Sequence, residues 1–388
     1  MKWTNRGHEL DDLGIEYAKI ANLYIWGAGK GGKECIDFLR WLKVDNNFVI
    51  KYVDSNCEKQ GTEYCGINVI APEDLFAEYN DNSVIVSTIG EVSSLLAKKN
   101  MRYFNWVHEH TGNKNFVQNF LCVWFLYKCG KLLSHWTSFN ITLKCNLNCK
   151  GCLNHNEYIH NVYDIASEKY KEHFSVLFSK FDYLYSFHLC GGEPQLYKEL
   201  PQLLRYLNEN YRDRIFDFFM ITNGTIVPSD EVIAALKESR CRIIVDDYSE
   251  NASLCAKRLP LVLKKLKEYD ISYVRNKPSS WFDLDFDNTD NSALNEDEMI
   301  KWRDSCNTFL NYVADCRIYS CCFEQYAMVA GVVEEAEYID IRSTSKKELL
   351  EYRLGYTPKG YVNFCRRCRG IGANMKTMPP AVQVPKKE

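Results

Sequence analysis

The chain has 388 residues, 46% hydrophobic and 26% charged, with a formal net charge of −3. That length exceeds one ordinary core and points to two or three domains. The balanced charge, with no concentration of Lys and Arg among aromatics, argues against a nucleic-acid-binding surface. Seventeen cysteines are many for an N-terminus that has no secretion-type apolar stretch. In a reduced compartment clustered cysteines are more often ligands than disulfides, so a cytoplasmic protein without a membrane span is expected.

Leu23–Trp26 reads as a short strand, and Gly27-Ala28-Gly29-Lys30-Gly31-Gly32 follows it. Cys35, Ile36, Leu39 and Leu42 then recur at helical spacing. Gly27, Gly29 and Gly32 thus form G-x-G-x-x-G between a strand and a helix, where backbone N–H groups and the helix dipole can meet a phosphate. A second strand, Phe48–Val53, ends at Asp54, where a ribose-binding acid belongs. A helix over 72–79 and a strand over 84–87 complete a Rossmann-like reading of residues 1–112, and that fold does not by itself imply a retained nucleotide. The stretch resembles small Rossmann domains at the front of sugar-modifying proteins of surface-polysaccharide pathways. It does so through Ile25-Trp26-Gly27-Ala28-Gly29, Val53-Asp54-Ser55-Asn56, Gly66-Ile67-Asn68-Val69-Ile70 and Pro72-Glu73-Asp74-Leu75. The resemblance implies a nucleotide or nucleotide-sugar site, or a docking module. His108-Glu109-His110 reads as a solvated loop rather than a metal pair. Over 113–134, Phe116, Phe120, Leu121, Trp124 and Phe125 form the stripe of a linker helix, packed on one domain or bridging both.

In the middle stretch, residues 135–300, an apolar strand over Phe139–Leu143 leads into Cys145, Cys149 and Cys152, spaced C-x3-C-x2-C. Disulfides want an even set and structural zinc wants four ligands. Three thiolates on one short loop fit a [4Fe–4S] cluster whose fourth iron is open to a small molecule. Helical segments over 167–180, 200–208, 231–239 and 252–269 then alternate with strands over 183–189, 214–221, 242–245 and 271–274. Such alternation predicts a parallel sheet covered by helices, as a barrel or partial barrel, with chemistry at the strand C-terminal ends. The cysteine loop, Gly191-Gly192-Glu193-Pro194, Thr222-Asn223-Gly224 and Asp246-Asp247-Tyr248 all follow strands.

With these motifs in view, the chain resembles the radical S-adenosylmethionine (radical SAM) enzymes, through Cys145/Cys149/Cys152 and the Gly-Gly-Glu-Pro element. The resemblance implies an α/β fold with a partial (β/α)6 barrel and a [4Fe–4S] cluster on the three cysteines. SAM would chelate the fourth iron. Gly191, Gly192 and Glu193 would border the methionine end of SAM, with Thr222, Asn223 and Asp246 near its ribose and carboxylate. An external one-electron reductant of flavodoxin or ferredoxin type is implied. Reductive cleavage of SAM needs a low-potential electron, and the resulting radical must be shielded from solvent.

Residues 301–372 gather Cys306, Cys316, Cys321, Cys322, Cys365 and Cys368. A zinc site and a second iron–sulfur cluster compete for them. The phrase from Cys306 to Cys321, with Cys365-Arg-Arg-Cys368, resembles the auxiliary-cluster domains called SPASM and, in shortened form, twitch. That implies Cys306, Cys321, Cys365 and Cys368 as ligands of one auxiliary [4Fe–4S] cluster. Cys316 stands where that pattern has glycine, and Cys316 or Cys322 could replace Cys321. Residues 373–388, bearing proline and lysine, read as a flexible tail.

The middle and last parts together resemble radical SAM proteins found with polysaccharide-building enzymes. The shared features are Gly-Gly-Glu-Pro, Thr222–Pro228, Asp247-Tyr248, Trp281-Phe282-Asp283-Leu284 and the final Cys-x2-Cys. A carbohydrate-type substrate, free or nucleotide-linked, is the implied target. It would be oxidised with an auxiliary cluster as electron acceptor, or epimerised by hydrogen return from a cysteine, for which Cys190, Cys316 and Cys322 are candidates. A peptide- or protein-modifying maturase is the alternative, and a regulatory protein that retains the cluster folds is a third reading.

Overall fold

The computed structural model describes residues 8–106, 115–306, 312–372 and 375–386. It contains two compact units, one spanning Gly7–Leu133 and one running on from Ser134. His108-Glu109-His110 lies outside the described residues.

The first unit opens with α1 (His8–Tyr17), β1 (Asn22–Trp26), α2 (Lys30–Trp41) and β2 (Val49–Val53). It continues through β3 (Glu63–Tyr64), β4 (Ile67–Ile70), α3 (Pro72–Glu78), β5 (Ser83–Ser87), α4 (Ser93–Lys98) and β6 (Tyr103–Asn105). The sheet order is β3-β4-β2-β1-β5-β6, parallel except for the β3–β4 hairpin. Central strands β1 and β5 are near-continuous apolar runs because both faces are covered. Helix α2 buries Cys35, Ile36, Phe38 and Leu39 against them.

A π-turn over Val117–Leu121 continues into α5 (Cys122–Cys129), which Gly130 closes at φ +66°. The stripe read from the sequence packs within this unit. Phe120 meets Tyr17 at 4.9 Å and Phe104 at 5.5 Å between ring centres, and Trp124 meets Phe48 at 4.7 Å.

The second unit begins with β7 (Leu133–Asn140), α6 (Ser167–Lys180), β8 (Tyr183–Cys190), α7 (Leu200–Tyr211), β9 (Ile215–Thr222) and α8 (Asp230–Ser239). Next come β10 (Arg242–Asp246), α9 (Ser253–Glu268), β11 (Tyr273–Asn276), β12 (Trp281–Phe282) and α10 (Glu296–Ser305). The chain ends with β13 (Tyr312–Ala314), β14 (Arg317–Tyr319), α11 (Cys322–Val329), β15 (Tyr338–Asp340), α12 (Lys346–Arg353) and β16 (Thr377–Met378). Helix starts carry their expected caps: Ser229 Oγ accepts from Val232 N, and Asn295/Glu298 and Ser345/Glu348 form capping boxes.

The sheet order is β11-β10-β9-β8-β7-β13-β14-β15. Strands β8 to β11 are parallel in chain order, as the alternating pattern predicts. Three details differ from expectation. The strand before the cysteine loop lies earlier than 139–143, because Ile141 and Leu143 are buried lead-in that bonds to Cys190 O and Tyr163 O. Among the described residues, the parallel run β8 to β11 is not followed by a sixth barrel strand on the β11 edge. β12 pairs instead with β16, and β13 takes the parallel place beside β7, joining the cysteine-rich segment to the main sheet. Finally, the described part of the C-terminal segment is bound down rather than loose: Lys150 N donates to Val382 O at 2.7 Å and Val384 N to Asn148 O at 2.9 Å. Among the described residues no helix is long and apolar enough to cross a membrane.

Candidate active site

The end of β8 and the lead-in to the cysteine loop run side by side. Ile141 N donates to Cys190 O at 3.0 Å, Gly192 N to Thr142 O at 2.8 Å and Glu193 N to Lys144 O at 2.7 Å. A side chain at Gly192 would drive its Cβ into the Lys144 carbonyl and to 2.9 Å from Cys145 Cβ. Glycine is needed here for close approach of two backbones, not for an unusual φ. Asp164 fixes the same lead-in, accepting from Thr142 Oγ1 at 2.6 Å and Lys144 Nζ at 2.6 Å.

The end of β9 is bound to both elements through Glu193. This carboxylate has no exposed surface. It accepts from Thr222 Oγ1 at 2.8 Å, Asn223 N at 2.8 Å and Gln195 N at 3.1 Å. Burial pushes its pKa up to about 7, against the pull of the donors from Asn223, Thr222 and Gln195. Asn223 Nδ2 in turn donates to Asn146 Oδ1 at 3.1 Å and approaches Cys145 Sγ at 3.8 Å, while Asn146 Nδ2 donates to Thr225 Oγ1 at 2.8 Å. Thr-Asn-Gly-Thr therefore orients the start of the cysteine loop. Glu193 reaches the site only through these partners.

The loop and strand ends enclose a cavity of about 460 Å³, a size ordinary for a small-molecule site. Cys145, Cys149 and Cys152 all line it, with Gly191, Gly192, Thr222, Asn223 and Asp246; Glu193 does not. Burial pushes the Cys145 and Cys149 thiols up to about 12 and raises Cys152 as well. Three buried sulphurs on one loop are costly to ionise alone and need a cationic partner. Asp246 accepts from Asn276 Nδ2 at 2.6 Å and Tyr248 Oη at 2.9 Å, and its pKa is raised by burial. Asp247 faces away from the cavity into an ion pair with Arg275 at 2.6 Å.

The alternating positions Trp136 and Ser138 of β7 and His188 and Cys190 of β8 also line the cavity. The Trp136 ring lies 4.8 Å from His188 between centres. Cys322, Phe323 and Tyr326 line it too, and Trp281 and Tyr248 stand edge-to-face at 5.4 Å. Among the described residues no Lys or Arg lines this cavity, and Asp246 is its one carboxylate.

Of the three cysteines weighed as hydrogen donors, Cys190 and Cys322 face the cavity and Cys316 does not. Asp315 and Cys316 are the two central residues of the β13–β14 hairpin, at φ +48° and +61°. That left-handed turn is what a glycine would favour, and here cysteine adopts it. The Cys316 backbone N–H donates to His173 Nδ1 at 2.9 Å, on α6.

Comparison with known proteins bears on these strand-end motifs. Residues 139–274 match the family model described as the radical SAM superfamily. The segment with the cysteine loop and the strand-end motifs is thus similar to the radical SAM domain. No curated protein matches the chain. A solved structure described as native anSMEcpe with bound AdoMet is similar at TM-score 0.41 and 15% identity, over 59% of this chain and 81% of that one. BtrN in complex with AdoMet and 2-DOIA gives TM-score 0.35 and 16% identity, over 62% and 95%. Streptococcus suis SuiB bound to its precursor peptide SuiA gives 0.30 and 16%, over 39% and 35%.

A radical SAM domain implies a [4Fe–4S] cluster and SAM. The donor set fits that group. Three soft sulphur ligands lie on one side of the cavity, and room for a small molecule lies beside them. A cluster held by Cys145, Cys149 and Cys152 would supply the low-potential electron that reductive SAM cleavage needs. The chain's own part is to hold the loop, through Gly192, Glu193 and Asn223, and to wall off water.

The second cysteine group surrounds a void of about 20 Å³ lined by Cys306, Cys321, Cys365 and Cys368. Cys321 is with the other three, whereas its neighbour Cys322 faces the main cavity. Ile371 N lies 3.4 Å from Cys306 Sγ and Gly370 N lies 3.3 Å from Cys368 Sγ. Arg303, 2% exposed, also lines the void, and its Nε finds no partner. Phe323 lines both the void and the main cavity.

In the first unit, the glycine loop is tightly packed at Gly32 and open at Gly29. A Cβ at Gly32 would collide with Gly27 O and come within 2.7 Å of the Tyr52 ring, whereas Gly29 faces open space. Asp54, the acid placed at the ribose position, is held within the loop. Its oxygens accept from Ala28 N at 3.0 Å, Asn56 N at 2.9 Å and Lys59 Nζ at 2.9 Å. Burial works to raise its pKa, but the Asn56, Lys59 and Ala28 donors outweigh that and hold it below the usual carboxylate value.

Proposed function

We propose that the chain is a radical SAM oxidoreductase or epimerase that abstracts a hydrogen atom from an uncharged, sugar-like substrate. A [4Fe–4S] cluster on Cys145, Cys149 and Cys152 binds SAM at Gly191, Gly192, Thr222, Asn223 and Asp246. Cys306, Cys321, Cys365 and Cys368 hold an auxiliary [4Fe–4S] cluster. The observation that carries this reading is the shared wall. Cys321 and Phe323 line the void of the second cysteine group, and Cys322 and Phe323 line the main cavity. A redox centre one side chain away from a bound substrate suits electron acceptance from a substrate radical. The unpartnered buried guanidinium Nε of Arg303 suits an anionic cluster better than four neutral thiols.

The absence of Lys and Arg from the described cavity wall disfavours a phosphorylated substrate in that cavity. Trp136 and Trp281 offer the flat apolar faces on which a neutral ring can pack. The Rossmann-like first unit would hold a nucleotide or nucleotide-sugar at its own glycine loop, Gly27, Gly29 and Gly32. A peptide-modifying maturase is the second reading.

Anaerobic reconstitution tests the cluster assignment. About eight irons are expected in the parent and about four in a Cys145/Cys149/Cys152→Ala variant, since each cubane holds four. Four in the parent would sink the auxiliary cluster. Turnover in deuterated water separates the reactions: solvent deuterium at a product carbon means hydrogen return from Cys190 or Cys322, and its absence with two-electron loss means oxidation.

A further inference from the structure

The C-terminal segment is laid along the cysteine loop. Beyond the Lys150–Val382 and Val384–Asn148 backbone bonds, Asn148 Nδ2 donates to Val384 O at 2.6 Å and Lys386 Nζ donates to Asn156 O at 2.9 Å. Asn251 Nδ2 anchors the segment from the other side, donating to Pro380 O at 2.9 Å. At its centre lies Gln383, paired with Cys149 in an antiparallel bridge. The Asn148 N–H donates to Gln383 Oε1 at 2.9 Å, which fixes the amide orientation. Gln383 Nε2 therefore carries its two protons to Ala381 O at 2.8 Å and to Cys149 Sγ at 3.1 Å. Cys149 beneath it is 6% exposed.

We propose that Gln383 is a positioning residue of the radical SAM cluster: its N–H···S bond to Cys149 stabilises the reduced cluster, and the strap that carries it keeps water off that sulphur. The proposal rests on the cluster assignment to Cys145, Cys149 and Cys152. Hydrogen bonds to ligand sulphur withdraw charge from the cluster and ease the addition of an electron. A donor held by five further contacts of its own strap costs no reorganisation when that electron arrives.

The test is an anaerobic redox titration of the reconstituted full chain, read by the EPR signal that changes when SAM is added. Gln383→Met keeps the length and removes the donor; Gln383→Glu keeps the acceptor for Asn148 N–H and removes the donor. In both, the ratio of reduced to oxidised cluster at a fixed potential should fall about tenfold, equivalent to ~59 mV for a one-electron couple. An unchanged midpoint in either loaded variant overturns the proposal. So does a variant that binds no SAM-responsive cluster while its thermal midpoint is unchanged, since the strap would then hold the loop rather than tune it. If Gln383→Glu does not fold, Gln383→Met decides. A parent chain with no SAM-responsive signal would instead sink the cluster assignment itself, an outcome separate from any difference between parent and variants.

Discussion

Gly192→Ala is expected, on the proposed assignment of two clusters, to abolish SAM cleavage while leaving the iron of the second cysteine group in place. The added Cβ would overlap the Lys144 carbonyl and press on Cys145 Cβ. Neither neighbour can give way cheaply. Lys144 O accepts from Glu193 N at 2.7 Å, and Thr142 O, two residues earlier, accepts from Gly192 N at 2.8 Å. Relief requires breaking at least one of these buried backbone bonds, and overpacking of this kind costs about 3 kcal/mol. The first atoms to move would be those of Cys145, so the cost is felt as lost ligand geometry. Iron in the reconstituted variant should fall from about eight toward about four per chain, as each cubane holds four. The thermal midpoint of the first unit should be unchanged. Full cleavage activity in this variant would show that the close approach of the two loops is not what sets the cysteine geometry.

Local motifs were legible in the sequence because their partners are local or follow the βα repeat. The cysteine spacing, the glycine pair after β8 and Thr-Asn-Gly after β9 sit at successive strand ends, and a parallel sheet brings strand ends together. What the sequence hid depends on pairing between distant segments. Nothing near Gln383 signals an antiparallel bridge to Cys149, 234 residues earlier. A Pro- and Lys-bearing stretch reads as loose until its backbone donors are seen to be used. Likewise, β13 is three residues long and carries no strand signature of its own, yet it lies beside β7. Glu193 was legible as part of a motif but not in its role: its place below the wall, bonded to β9, depends on side-chain direction. Trp136 and His188 could have been found by their period-two spacing with Ser138 and Cys190, had the strand boundary at 133 been legible. Asp54 shows the reverse case. Its position was legible, but its bond to Lys59, five residues on, was not.

The pH dependence of folding should carry the signature of Glu193. Its folded pKa of about 7 lies above the ordinary carboxylate value of 4.5 because burial disfavours the charge. Between those values the folded chain holds a proton that the unfolded chain has released. Stability from this group is therefore greatest at low pH, falls as pH rises through that window, and levels off above about 7. From pH 5.5 to 8 the loss is expected to be about 2 kcal/mol. Glu324, whose pKa burial also raises, to about 8, contributes a slope of the same sign, so the measurement must be a difference. A glutamine side chain in place of the acid cannot titrate. A Glu193→Gln variant should start less stable, since its amide nitrogen faces the donors Thr222 Oγ1, Asn223 N and Gln195 N. The gap between parent and variant should then narrow by about 2 kcal/mol between pH 5.5 and 8, read from urea midpoints of the reconstituted chain. A gap that stays constant with pH would mean that Glu193 is ionised throughout, and that its three donors outweigh its burial.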